Sequence, residues 1–233
     1  MATARTPTRD PRRVAFGVAI AFAVAYSLTV VLGLLLELAS ASDGSTAFDA
    51  HITRWFVDHR TPTWNDAMRI VTWLGSSAIV IPLTVVVVVA LLIGRRGWLA
   101  LFIVLAVSGA SLLSVLAKHA IGRSRPPVDI QLQHPRGSAF PSGHATQAAA
   151  TYLALAIVVT ILTKSHALRA ATWTIATLIV FVVGASRVYL GVHWATDVLG
   201  GWLLGSVWVA GLTPALAPLN TTQRVGAPAS PSG

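Results

Sequence analysis

The sequence predicts an all-α protein, a six-transmembrane-helix bundle with a short interfacial helical segment between the first and second spans. Three observations predict it. Of the 233 residues, 55% are hydrophobic and only 11% are charged, whereas a soluble domain carries about 25% charged residues. The apolar residues come in long blocks and the mean hydropathy is +0.70, so lipid is the expected solvent. The cations lie in short segments between those blocks, where they set topology and meet anionic headgroups. That placement argues against a nucleic-acid surface despite a net charge of +9. The chain has no cysteine, which excludes disulfides, thiol catalysis and cysteine-ligated metal.

Each element has its own justification. Residues 1–13 are polar and basic and contain Pro7 and Pro11, which predicts a disordered cytoplasmic tail. Residues 14–37 form an apolar run long enough for the roughly 20 residues a spanning helix needs. A signal peptide has an apolar region of only about 7–15 residues, so a retained span is expected. Ala39-Ser40-Ala41 nevertheless resembles a cleavage site and leaves removal open. Residues 38–75 mix charges with Phe48, Trp55, Phe56 and Trp64, as one or two short helices lying at the interface would. Further spans are expected at 76–94, 97–117, 144–163, 170–186 and 197–217, and a disordered tail at 218–233. A single membrane domain is thus expected over 14–217. The inner loops are short and basic (Arg95-Arg96, and Lys164 to Arg169), and almost all the acids fall on the other side. The positive-inside rule then puts the N-terminus in the cytoplasm.

Three clusters fall on the outer side of that topology. In the first, Lys118 and Arg125 are seven residues apart, a spacing that shares one helical face, and Pro126 ends the helix with Arg125 at its tip. Read alone, the two could equally be cations snorkelling at a helix end. In the second, Pro141-Ser142-Gly143-His144 precedes an apolar run. Ser142 suits an N-cap, Gly143 a close backbone approach, and the free N–H groups of a helix start suit phosphate. An ordinary capped helix start is the plainer alternative. In the third, Ser186-Arg187 is followed by His193 and Asp197, which are four apart on one expected helical face. The carboxylate would fix the imidazole tautomer and free the other nitrogen for attack. A structural pair or a metal site also fits that spacing, but Lys118, Arg125 and Arg187 would repel a divalent cation and attract an anion. Burying ionisable groups at membrane depth costs about 2.5–3.5 kcal/mol each on insertion scales, so a cluster of five implies use.

Together, Lys118–Arg125-Pro126, Pro141-Ser142-Gly143-His144 and Ser186-Arg187–His193–Asp197 resemble the three-part signature of the type 2 phosphatidic acid phosphatase family. That superfamily also includes vanadium haloperoxidases and soluble bacterial acid phosphatases. The likeness covers about residues 50–205, with every signature position filled. It implies six spans with the site facing outward. It also implies that Lys118, Arg125, Arg187, Ser142 and the Gly143 N–H hold phosphate. His193 would attack phosphorus and form a phosphohistidine, Asp197 would orient His193, and His144 would serve as acid and then base. No metal or other cofactor is implied. The expected partners are a lipid phosphate or polyprenyl diphosphate substrate and membrane lipids, with no nucleic acid; the sequence leaves oligomeric state and the particular lipid open.

Such a mechanism implies a bell-shaped rate profile. Arg123 and Arg136 lie in the site loop and could touch a second phosphate or the headgroup. His51, His59, His119, His134 and His166 read as surface histidines. The expected protein is therefore a metal-independent lipid phosphatase of the cytoplasmic membrane, acting on its outer face. Two alternatives remain: a vanadate-dependent haloperoxidase, which halide oxidation would reveal, and a non-catalytic lipid binder or translocator on the same fold.

Overall fold

The computed structural model describes residues 11–41, 44–217 and 219, so most of the two expected tails lies outside it. Eight α-helices and no strand occur among the described residues. Helix α1, Pro11–Ala39, opens three residues before the expected span because Pro11 suits the first helical turn. Two short helices follow, α2 at Ala47–Asp58 and α3 at Pro62–Val71, and each is opened by a threonine whose hydroxyl accepts a backbone N–H. A 3-10 turn, Thr72–Gly75, leads into α4, Ser77–Ile93. The remaining helices are α5, Gly97–Ile121; α6, Gly143–Leu162; α7, His166–Tyr189; and α8, Ala195–Leu216.

Helices α1, α5, α6, α7 and α8 are long and apolar enough to cross a membrane. The 17-residue α4 becomes the sixth span when joined to Pro62–Gly75, from which it bends by 41°. Its own length, about 25 Å at 1.5 Å per residue, falls slightly short of a hydrocarbon core of about 30 Å. Apolar side chains such as Phe16, Leu35, Val86 and Phe181 point outward, as they should when the solvent is lipid.

Small residues set the packing. The buried stripe of α1 is Ala21, Ala25, Thr29 and Gly33, spaced four apart, and it lies against α8. Helix α8 packs between α1 and α6, with α5 touching all three. Gly200, Gly201 and Gly205 let α8 lie close against its neighbours. A Cβ on Gly201 would sit 2.7 Å from the Ser142 carbonyl oxygen, and one on Gly205 2.7 Å from that of Thr146. These glycines bring α8 onto the start of α6, where the second and third sequence clusters meet.

The helices also run further into the polar segments than hydropathy suggests. Helix α5 continues past residue 117 to Ile121, and α7 covers 166–189 rather than 170–186. Lys118 and Arg187 therefore sit in final helical turns, which favour cations.

Candidate active site

The C-terminal ends of α5 and α7 and the N-terminal ends of α6 and α8 gather at one end of the bundle, roofed by the loop 122–142. Helix α5 stops at Gly122, whose φ of 74° is left-handed and suits glycine. Arg125 therefore lies in the loop and not at a helix tip as expected. The start of α6 is tied to the first turn of α8 by a 2.9 Å bond from the Ser142 N–H to the Asp197 carbonyl.

Lys118, Arg125 and Arg187 are brought together, and their partners are neutral. Lys118 Nζ donates to the Ser138 carbonyl at 2.7 Å. Arg125 donates to the carbonyls of Gly137 at 2.9 Å, Val192 at 2.6 Å and Ser138 at 3.2 Å. Arg187 Nη1 donates to Thr72 Oγ1 at 2.7 Å and to Gln133 Oε1 at 3.1 Å. Among the described residues, no carboxylate lies within ion-pair distance of any of the three. Their geometry is fixed while their charge is left uncompensated, which suits an anion. Arg187 Nε and Ser142 Oγ are buried without a hydrogen-bond partner, an expensive state unless a ligand engages them. Ser142 is the N-cap of α6 by backbone position, but its hydroxyl does not bond the helix. A Cβ on Gly143 would meet nothing nearer than Ser114 Oγ at 4.0 Å, so the approach to this helix start is open.

His193 is the most constrained member. It precedes α8, whose N-cap is Trp194, so it does not share a helical face with Asp197 as the spacing suggested. The chain still brings His193 Nδ1 to 3.4 Å from Asp197 Oδ2. That is ion-pair contact without hydrogen-bond geometry, and Nδ1 is otherwise buried and unpartnered. Such bonds are often long before substrate binds. On the other side of the ring, Arg125 Nη1 lies 3.2 Å from Nε2. A guanidinium can only donate, so Nε2 presents its lone pair and Nδ1 carries the proton. Burial first, then the positive charges of Arg187, Lys118, Arg125 and His144, hold the His193 pKa well below the usual histidine range. The same charges show that all five side chains share one neighbourhood.

His144 lies in the first turn of α6, against the 3-10 turn: a Cβ on Gly75 would sit 2.8 Å from the His144 carbonyl oxygen. Tyr152 anchors that turn through a 2.9 Å bond from its hydroxyl to the Leu74 carbonyl.

Sequence reasoning missed Thr72 and Gln133, which orient Arg187, and Asp49 and Thr196, which with Arg123 surround Asp197. Arg123 does not face a headgroup. It is 2% exposed and donates to Asp49 and Asp197. An arginine two residues from Arg125 was a visible signal; a lone threonine or aspartate in an amphipathic segment offered none. Arg136 is exposed, and so are His51, His59, His119, His134 and His166, as expected.

The chain is similar in sequence and fold to several known proteins. A family model described as the PAP2 superfamily matches residues 97–219. Phosphatidylglycerophosphatase B of Bacillus subtilis (strain 168) is 36% identical over 173 residues, covering 74% of this chain and 85% of that protein. Undecaprenyl-diphosphatase of Sulfolobus acidocaldarius is 26% identical over 203 residues, covering 85% of this chain and 92% of that protein. A crystal structure of a transmembrane PAP2 type phosphatidylglycerolphosphate phosphatase from Bacillus subtilis matches with a TM-score of 0.70 at 30% identity. It covers 83% of this chain and 94% of that one.

Proposed function

Because the chain belongs to the PAP2 superfamily, whose curated relatives are membrane lipid phosphatases, we propose that it hydrolyses a lipid phosphate or polyprenyl diphosphate through a phosphohistidine. One observation carries this reading most directly. The lone pair of His193 Nε2 faces Arg125, one of three fixed cations with no carboxylate partner among the described residues.

Lys118, Arg125 and Arg187 hold the phosphate oxygens, with the Ser142 hydroxyl and the Gly143 N–H completing the cradle. Their fixed positive charge stabilises the equatorial oxygens of the transition state, the part metal ions play elsewhere. His193 Nε2 attacks phosphorus in line. The P–N bond forms as the bond from phosphorus to the leaving oxygen breaks, and His144 donates a proton to that oxygen. His144 then takes a proton from water, the resulting hydroxide attacks phosphorus, and the P–N bond breaks to free His193 and phosphate. Asp197 holds the imidazolium that forms. The site faces outward across the cytoplasmic membrane, since Arg95, Arg96, Lys164 and Arg169 mark the opposite end as the cytoplasmic one.

A panel of lipid phosphates and diphosphates, assayed for phosphate release by detergent-purified protein with EDTA present, tests the activity. Substantial turnover on at least one lipid is expected, together with a 32P label on His193 after rapid alkaline quench. Loss of all activity in EDTA would contradict the metal-free mechanism. Halide oxidation in vanadate would favour the haloperoxidase alternative.

A further inference from the structure

We propose that Asp49 and Arg123 are positioning residues for this reaction, and that Asp49 keeps the Arg123–Asp197 pair negatively charged so that Asp197 can stabilise the charge that develops on His193. The proposal rests on the phosphohistidine reading and adds a requirement that reading does not contain.

Asp197 acts on His193 through its negative charge, but that charge is already engaged. Arg123 Nη1 lies 2.7 Å from Asp197 Oδ1, and neither side chain is exposed. A buried pair of opposite charges is neutral overall and would offer the imidazolium only a dipole. Asp49 changes the sum. Its Oδ2 lies 2.8 Å from Arg123 Nη2, again with no exposure on either side. Two carboxylates around one guanidinium restore a net negative charge beside His193, in a place where water screens little. Glu37 contributes in the same sense but weakly, at 3.9 Å from Arg123 Nε with a side chain 37% exposed.

Asp49 is built to stay ionised. Burial alone would push its carboxyl up, but donors from the Thr196 backbone and hydroxyl, Arg123 and Thr46 outweigh it and hold it below the usual carboxylate range. Thr196 joins the two halves: its N–H and hydroxyl reach Asp49 Oδ1 at 2.9 Å and 3.0 Å, and its oxygen accepts from Arg123 Nη1 at 2.7 Å. Asp49 also closes the capping box of α2 with Thr46. The interfacial helix is therefore wired to the first turn of α8. A neutral hydrogen-bonded contact would tie α2 to α8 equally well, and a buried charged triad costs desolvation energy that such a contact avoids. The charge itself is what needs a use.

The test compares Asp49→Asn, Thr46→Val and the double variant Asp49→Asn with Arg123→Gln, all in purified protein. Thermal midpoint, kcat, KM, and the affinities for vanadate and inorganic phosphate are measured. Vanadate bonds to the nucleophilic nitrogen and so senses the charge behind the ring; phosphate senses only the cradle. Asp49→Asn is expected to lower kcat and vanadate affinity about ten-fold, with KM and phosphate affinity nearly unchanged. Thr46→Val, which loosens α2 and removes only one of the several donors to Asp49, should lower the midpoint and cost kcat far less than Asp49→Asn. The double variant restores the wild-type net charge around Asp197, so it should be less stable yet more active than Asp49→Asn. If Asp49→Asn does not fold, the double variant is compared with wild type, and kcat within about ten-fold is expected.

Unchanged kcat and vanadate affinity in Asp49→Asn would overturn the proposal. So would an equal loss in Thr46→Val, or a double variant as impaired as Asp197→Asn. Failure of the phosphohistidine reading looks different: wild-type protein would carry no label on His193, whatever Asp49 does.

Discussion

Arg125 can only donate hydrogen bonds, and its 3.2 Å contact with His193 Nε2 fixes which nitrogen of that ring carries no proton. His193→Ala should therefore abolish turnover, by at least about 10³-fold in kcat, while Asp197→Asn should cost less, about 100-fold. Near-normal phosphate release by folded His193→Ala protein would remove the nucleophile. The depressed pKa of His193 also has a sign for stability. The unfolded ring takes up a proton near its ordinary pKa of about 6.5, whereas the folded ring resists it. Unfolding therefore binds protons below that pH, and stability is lost as pH falls through it. The thermal midpoint should drop from pH 7 to pH 5, and less so in His193→Gln; an identical drop in both would contradict the assignment. All eight residues chosen from the sequence lie at one end of the bundle, because their chemistry is legible in residue type and spacing. Thr72, Gln133 and Asp49 were not legible, since each acts by holding another side chain across a long separation in the chain.

At the scale of helices, the spans were readable from hydropathy but their ends were not. Hydropathy stops where charge begins, whereas α5 and α7 carry Lys118 and Arg187 in their last turns. The same limit explains why Arg125 was placed on a helix and why His193 was assigned a face of α8. A left-handed Gly122 and an N-cap at Trp194 decide those ends, and neither is a matter of periodicity. The glycine cluster of α8 sets how closely that helix packs, and its effect is local and testable. Gly201→Ala places a methyl group 2.7 Å from the Ser142 carbonyl, an atom of the backbone that cannot swing aside. The variant should lose about 1–3 kcal/mol of stability and should lose activity as well, because Ser142 sits in the cradle. Unaltered thermal midpoint and kcat would show that α8 and α6 have room to spare.

Across the whole molecule, an all-α bundle with up to six spans follows from composition and block length alone, because a bilayer leaves so few ways to satisfy a backbone. The convergence of three distant clusters on one end follows from span parity: an odd number of crossings separates the basic loops from the site. That orientation is open to labelling, since the chain has no cysteine of its own. His134→Cys, in the exposed site loop, should react with an impermeant maleimide in intact cells; Lys164→Cys should react only after permeabilisation. The reverse pattern would put the site in the cytoplasm. The central claim is that phosphorus is transferred twice, first to His193 and then to water. The stereochemical course at phosphorus measures this directly, using a lipid phosphorothioate made chiral at phosphorus by sulfur and two oxygen isotopes and hydrolysed in water carrying the third isotope. Two in-line transfers predict net retention of configuration, and net inversion would mean that water attacks the substrate itself and that His193 is not the nucleophile.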